Sequence, residues 1–343
     1  MSIAADIDRL LAGEDLGRHG AQAALSQIMS GEIDAIQVGA FLVALRAKGE
    51  SAGEIAGLAA AIRSHATPVS VPGVQLVDTC GTGGGAPTFN VSTAAAFVAA
   101  GAGASVAKHG NRSATSRSGS ADVLEALGAR IDLQPQAIAT CIERTGVGFM
   151  FAPNHHPAFK HIVPVRRALA VRTVFNLLGP LANPAGVRNQ VIGIADRSYL
   201  DRIAGAVAEL GADRVFVVSA DDGMDEFSTA VPSEVAEVTP DGVKRWRFDP
   251  SDLGLRPPAD GDLYGGEPDD NARMIRAVLL GQEGARADIV MLNAAGALRA
   301  AGIVDSMADG LDAAREAIAT GRAAERLDAF VSATNDLAPS AGV

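Results

Sequence analysis

Glycines, cations and hydroxyl side chains crowd the stretch from Asp78 to Gly128 at spacings that suit an anionic ligand. An apolar run, Gln75 to Thr79, leads into Gly81-Thr82-Gly83-Gly84-Gly85, and a helix is expected to start near Ser92-Thr93. Glycines let backbone amides approach a ligand closely. A helix N-terminus adds unpaired N–H groups and partial positive charge, so strand, glycine loop and helix in that order make a phosphate cradle. One strand later, Ala104 to Ala107 delivers Lys108-His109-Gly110-Asn111-Arg112, followed by Ser113, Thr115, Ser116, Arg117, Ser118 and Ser120. Such donors suit a ligand with several phosphate oxygens and sugar hydroxyls. Gly81-x-Gly83-x-x-Ala86 also fits the dinucleotide fingerprint, but that motif wants an acidic residue about 20 positions on, where this chain has Lys108-His109. No Gly-Lys-Ser/Thr closes the loop, which excludes the Walker reading.

Three further groups carry chemistry. Asn90-Val91-Ser92-Thr93 sits where the glycine loop enters its helix, so Ser92 or Thr93 either caps the helix or turns a hydroxyl toward a phosphate or metal. Asp221, Asp222, Asp225 and Glu226 place four carboxylates within six residues after an apolar run, Arg214 to Ser219. Magnesium favours carboxylate oxygens shared with substrate phosphates, which fits Asp225-Glu226; Asp221 and Asp222 are expected at the surface. His155-His156-Pro157 precedes a helix expected from Ala158 to about Ala170, bent at Pro164, which carries Arg166. The two histidines lack a third ligand at sensible spacing for zinc. Arg166 offers a planar fork matched to a carboxylate.

These groups must be held by a larger frame. At 343 residues the chain suits two structural domains. Residues 1–67 read as helices only: Ala4 to Leu11, Gly20 to Met29, Ala35 to Ala47 and Ala52 to His65, with Ser51-x-x-Glu54 as a capping box for the last. Pro68 to Gly73 is a hinge, because two prolines within five residues stop a helix. From 74 to 343, strand-like runs (Leu76 to Cys80, Ser105 to Ala107, Val147 to Phe151, Gln190 to Ala195, Arg214 to Ser219, Asp288 to Leu292) alternate with helical ones, including Asp201 to Leu210, Asn271 to Leu280 and Ser306 to Thr320. That alternation predicts an α/β fold, a mostly parallel sheet with ligand loops at its strands' carboxyl ends. A polar, turn-rich stretch from Val238 to Pro257 holds a hairpin strand near Lys244 to Phe248. The net charge of -11 argues against a nucleic-acid surface, yet residues 108–172 hold nine Lys/Arg against four Asp/Glu, a local field for an anionic substrate. Cys80 and Cys141 are spaced for neither metal nor redox pair. MSIAADIDRLL lacks the apolar core of a secretory signal, and no run spans a bilayer, so a cytoplasmic protein without membrane contact is expected.

GTGGGAPTFNVST, KHGNRSATSRSGSADVLEALG and HHPAFKHIVPVRRALAVRTVFNLLGPLANP resemble the anthranilate phosphoribosyltransferases of tryptophan biosynthesis along nearly the whole chain. The resemblance implies a nucleoside phosphorylase/phosphoribosyltransferase-like fold: a small helical domain, with which residues 155–185 pack, and a larger α/β domain. It implies glycosyltransferase activity, the transfer of a phosphoribosyl group from phosphoribosyl pyrophosphate to anthranilate, with Mg2+ as cofactor and a homodimer formed through the helical domain. By resemblance the donor is bound by Gly81, Gly84, Gly85, Thr88, Asn90, Val91, Ser92 and Thr93 on the first loop. On the second, Lys108, Gly110, Asn111, Arg112, Ser113, Ser116 and Ser120 bind it. Ser92, Asp225 and Glu226 are the implied metal ligands. Gly81, His109, Asn111, Arg166 and Pro180 are the implied anthranilate contacts, with Lys108, Asn111 and Arg166 catalytic and His109 either touching the acceptor or assisting proton removal. The family's GTGGDG motif is departed from: Gly84 runs directly into Gly85-Ala86, without the aspartate and one residue shorter. Lys108-His109-Gly110-Asn111 does not match the Lys-His-Ser-Thr motif of pyrimidine-nucleoside phosphorylases, a different activity on the same fold.

Overall fold

The computed structural model describes residues 2–113 and 117–338. Four helices open the chain, α1 Ile3–Leu11, α2 Gly17–Ser30, α3 Ala35–Lys48 and α4 Ala52–Ser64. The capping box is present: Glu54 N–H donates to Ser51 Oγ at 3.3 Å, and the Glu54 carboxylate accepts from Ser51 N–H at 2.9 Å. Glu54 is fully buried, and it also accepts from Leu16 N–H at 3.0 Å and pairs with Lys48 at 2.8 Å. A buried carboxylate persists because each of its oxygens is hydrogen-bonded.

The strands and helices then alternate: β1 Leu76–Gly81, α5 Val91–Gly101, β2 Ser105–Gly110, α6 Ser120–Ala126, α7 Pro135–Thr145, β3 Val147–Phe151, α8 Ala152–His155, α9 Val163–Leu169, α10 Phe175–Leu178, β4 Asn189–Gly193, α11 Leu200–Glu209 and β5 Arg214–Ala220. The chain continues through β6 Ser233–Thr239, β7 Gly242–Phe248, α12 Pro268–Leu279, α13 Ala285–Ala300, α14 Met307–Ala319 and α15 Arg322–Leu337. One seven-stranded sheet results, ordered β3-β2-β1-β4-β5-β6-β7, parallel up to β5 and antiparallel beyond it. Connections run one way from β1 toward β3 and the other way from β4 outward, so the carboxyl ends of β1 and β4 flank the crevice where such sheets bind ligands. Gly81 and Gly193 are partners in register at that point.

Three expectations are corrected. Asp288 to Leu292 is not a strand but the middle of α13, which packs on α5, α14 and the sheet and is buried from Ile289 to Leu298. A helix apolar all round loses the 3.6-residue signal, so a short window of it looks like a buried strand. Ser233–Thr239 was not expected as a strand, yet it pairs with both β5 and β7. The single helix from Ala158 to Ala170 is two pieces, a 3-10 turn Pro157–His161 and α9. Pro164 stands in the first turn of α9, where its missing N–H costs nothing, so it starts a helix instead of bending one.

The apolar cluster of α1–α4 also takes in Ile162, Val165 and Val174 to Leu181, as well as side chains of β4, β5 and α11. The stretch after Thr67 is tied across, Thr67 N–H to His155 O at 2.8 Å and Val69 N–H to Pro184 O at 3.2 Å. Asn183 fastens this segment under the crevice. Its Nδ2 donates to Asp78 Oδ2 at 2.8 Å and to Ala107 O at 2.9 Å, while its Oδ1 accepts from Ala185 N–H at 2.9 Å. At the far end of the sheet, β7 leaves Lys244, Arg245 and Arg247 exposed. Asn183→Ala leaves Asp78 Oδ2 with only the weak Cys80 thiol donor and takes a donor from the Ala107 carbonyl, so a loss of about 1–3 kcal/mol in unfolding free energy is expected, read from denaturant midpoints. An unchanged midpoint would show that Asn183 fastens nothing.

Candidate active site

The glycine loop closes over Asp225. Gly83 N–H donates to Asp225 Oδ2 at 2.8 Å, and Thr82 N–H donates to Gly193 O at 2.9 Å. A Cβ on Gly81 would collide with the Asp225 carboxylate and one on Gly193 with the Asp225 carbonyl. Close backbone approach is therefore what these glycines supply. At Gly85 a Cβ would stand 2.8 Å from Asp225 Oδ1 and 2.9 Å from Gly223 O, so the place where the GTGGDG pattern is departed from has no room for a side chain. The Asp225 carboxylate thus occupies an anion position in the cradle.

Ser92, Asp225 and Glu226 line one cavity of about 10 Å³ together with Thr79 and Asn293, the space of a single water-sized sphere. Glu226 Oε2 is buried there without a hydrogen-bond partner. Burial, followed by the neighbouring Asp225 charge, holds the Glu226 carboxyl well above its ordinary range, and burial raises Asp225 too. Lys108 is buried between these acids and Asp78; its Nζ donates to Thr79 O and, at 3.2 Å, to Ser92 Oγ. Burial lowers the Lys108 pKa and Asp78 counters it. Asp221 and Asp222 are exposed, as expected, Asp221 paired with Arg197 and Arg247.

One strand over, a second group forms around His109. Its Nδ1 lies 3.3 Å from Gly179 O and its Nε2 lies 3.2 Å from His156 Nε2. A carbonyl only accepts, so Nδ1 carries the proton of His109, and His156 donates to the bare Nε2. The His156 ring stacks on Phe159 at 5.1 Å, Phe159 meets Phe175 edge-on, and the Arg166 guanidinium lies 5.3 Å over Phe175. Arg166 is half-buried and makes no ion pair among the described residues. Pro180, next to Gly179, is buried, its carbonyl accepting from Gln190 Nε2 at 2.9 Å.

The second donor loop is only partly turned to the crevice. Asn111 is exposed, and its Oδ1 accepts from Arg112 N–H at 2.7 Å. Arg112 faces away, paired with Asp122 and Glu125 and lying 5.5 Å over Phe151. Asp122 Oδ2 accepts from Ser113 N–H at 3.0 Å and Gly119 N–H at 2.9 Å, Ser120 Oγ donates to Asn111 O at 3.4 Å, and Gly110 has no room for a side chain beside Ser120. Thr88 bridges to Tyr264, while Val91 and Thr93 are buried in the first turn of α5. Thr115 and Ser116 lie outside the described residues. Sequence reasoning missed Asp78, Asn183, Asn271 and Asn293. Asn293 holds the loop after Glu226, donating to Phe227 O at 3.0 Å and accepting from Phe227 N–H at 3.0 Å. A polar residue inside an apolar run is the signal that would have found Asp78 and Asn293.

Residues 73–324 match the glycosyl transferase family a/b domain and residues 7–66 its helical bundle domain. Fold and site together define a glycosyl transferase of that class. The chain is 50% identical over 338 residues, 97% of either chain, to the anthranilate phosphoribosyltransferase of Thermomicrobium roseum, and 51% identical to that of Rubrobacter xylanophilus over 95% of this chain and 96% of that one. It superposes on the Thermus thermophilus enzyme with a TM-score of 0.90 at 41% identity, covering 96% and 99% of the two chains. The Saccharomyces cerevisiae enzyme in complex with PRPP and Mg gives 0.89 at 28% identity, over 98% of each. The chain belongs to the anthranilate phosphoribosyltransferase family.

Burial and the neighbouring imidazole push His109 down to about 3; burial and then His155 push His156 down to about 4. The unfolded chain takes up protons below about 6.5 that the folded pair refuses. The stabilising effect is full above that pH and is lost as pH falls toward about 4 and then about 3. His156→Phe keeps the stacked ring and removes one such group, so its thermal midpoint should fall less between about pH 7 and pH 4.5 than that of the natural chain. Parallel curves would refute the assignment.

Proposed function

We propose that this chain transfers the phosphoribosyl group of phosphoribosyl pyrophosphate to the amine of anthranilate with Mg2+, releasing pyrophosphate, as a step of tryptophan biosynthesis. The observation that carries the reading is the convergence of the glycine loop, Lys108, Ser92, Asp225 and Glu226 at the β1/β4 crevice, one strand from the unpaired Arg166 fork. The residues fit the metal: magnesium takes one or two carboxylates and shares substrate phosphates and waters. Two carboxylates and a hydroxyl line the cavity, one carboxylate oxygen has no partner, and no group of three or more His, Cys, Asp or Glu among the described residues makes a closed cage. Bound there, the ion would neutralise charge on the departing pyrophosphate.

The chain's own residues do the rest. Loop amides from Gly81 to Gly85 with Gly83 released from Asp225, Ser92, Thr93 and Lys108 hold the diphosphate; Asn90, Thr88, Gly110, Asn111, Ser113 and Ser120 surround the ribosyl part. Arg112 joins only by leaving Asp122 and Glu125. Arg166 grips the acceptor's carboxylate with its fork while Asn111 and Pro180 set the ring. The amine nitrogen then bonds to the anomeric carbon as the carbon–oxygen bond to pyrophosphate breaks, through an oxocarbenium-like centre, and the acidic ammonium so formed gives its surplus proton to the departing pyrophosphate or to water. An aromatic amine is neutral at physiological pH and its lone pair needs no base. His109 is not one: its Nδ1 proton is committed to Gly179, its Nε2 accepts from His156, and its pKa is about 3. Its role is to wall the acceptor pocket.

The helical domain of residues 1–67, with residues 155–185 packed on it, shares one apolar cluster with the α/β domain of residues 74–343. Leu11, Ile36, Val43 and Val163 leave apolar surface exposed on α1, α3 and α9, which supports a homodimer through the helical lobe. Among the described residues no helix is long and apolar enough to cross a membrane, consistent with work on diffusible metabolites in the cytoplasm.

Arg166→Ala should raise the anthranilate KM at least tenfold and leave donor affinity within about twofold, a loss of roughly 1.4 kcal/mol or more on one substrate; equal losses on both would place Arg166 elsewhere. Asp225→Asn with Glu226→Gln should abolish magnesium-dependent loss of anthranilate fluorescence while leaving the thermal transition unchanged or slightly higher, because two mutually repelling buried carboxylates are neutralised. Full turnover by the double variant would remove both from the mechanism.

A further inference from the structure

Asn90 stands at the N-cap of α5, yet its side chain does not cap the helix. Instead its Nδ2 donates to Ser118 O at 3.1 Å, and its Oδ1 accepts from Ser118 Oγ at 3.2 Å and from Asn271 Nδ2 at 2.8 Å. Asn90 therefore bolts the end of the glycine loop to the far end of the β2–α6 loop. Its amide works in one orientation only. Turned over, the oxygen would face the Ser118 carbonyl and the nitrogen would face the donors of Asn271.

Asn271 dictates that orientation. It is buried near the start of α12, where its Oδ1 accepts from Gly266 N–H at 2.7 Å. That bond fixes which end of its own amide meets Asn90: the nitrogen. The strap ahead of α12 is in turn paired with the glycine loop's exit, Phe89 N–H to Leu263 O at 3.0 Å and Gly265 N–H to Pro87 O at 3.2 Å. At its other end α12 is tied to the close of α6, where Arg276 donates to Leu127 O at 3.2 Å. The helix thus spans both loops from behind while touching no reacting atom.

The geometry points to Asn271 as a positioning residue for the phosphoribosyl pyrophosphate site: through Asn90 it sets the spacing of the two donor loops. The inference rests on the donor reading above. Asn271→Asp is nearly isosteric and still accepts from Gly266, but it turns an acceptor toward Asn90 Oδ1, so Asn90 must flip and give up Ser118. Asn271→Ala removes the contact without a charge.

In steady-state kinetics both variants are expected to raise the KM for phosphoribosyl pyrophosphate about tenfold, while the anthranilate KM at saturating donor changes less than twofold. A cycle with Asn90→Ala separates positioning from plain structural support. If Asn271 acts through Asn90, the double variant Asn90→Ala/Asn271→Ala loses no more than Asn90→Ala alone. Unchanged donor KM in Asn271→Asp overturns the inference, as do losses that multiply in the double variant. Equal rises in both KM values with a lowered thermal midpoint also overturn it, by assigning Asn271 to the fold. A natural enzyme without measurable transfer would instead defeat the donor reading itself.

Discussion

The site depends on how closely the chain can bring Asp225 against the ends of β1 and β4. Neither Gly81 nor Gly193 has space for a methyl group there. With Asp225 wedged between them, its carboxylate reaches the amides of the glycine loop, and Glu226 falls beside Ser92 and Lys108. The two acids of the crevice are placed by this approach of backbone to backbone, while Lys108 reaches them from β2. The buried carboxylates are costly when the ligand is absent, and Lys108 offsets part of that cost. In the proposed reading, the donor site is electrostatically incomplete alone, which favours taking up anion and cation together.

The acceptor half follows opposite rules. His109 and His156 are kept neutral and hydrogen-bonded to each other, their rings edge-on, while His156 stacks on Phe159 and the Arg166 guanidinium lies over the Phe175 face. Rigid neutral walls with one fork suit a flat aromatic acid whose amine needs alignment more than activation. In the proposed reaction, transfer joins a charged half lined by carboxylates to a neutral half walled by aromatic rings.

Much of this was legible in the sequence, because glycines, cations and acids at strand ends advertise themselves. The β1 loop, the Asp225-Glu226 pair and Ser92, grouped by residue type and by the resemblance, lie together around one cavity. The four opening helices and the Ser51 cap were readable from period and capping chemistry. What could not be read lies in burial and direction. Helix α13 is apolar on all sides, so its period vanishes. Strand β6, Ser-Glu-Val-Ala-Glu-Val-Thr, breaks the two-residue alternation at Val235-Ala236, and only the assembled sheet reveals its pairing on both sides. Arg112 reads as one more phosphate donor, and only coordinates place Asp122 and Glu125 within its reach. Asn183 and Asn271 act over more than 100 and 180 positions of sequence, distances at which no local pattern speaks.

The outer hairpin has a bearing on how copies of this protein coexist. Strand β7 ends the sheet with a row of backbone groups that could template another strand. Its solvent side carries Lys244, Arg245 and Arg247, of which Arg247 pairs with Glu234 and Arg245 with Asp201. A second sheet adding there would have to strip water from those cations and set its own β7 cations against them. The charged, ion-paired fringe of this border therefore makes it a costly place for another sheet to add.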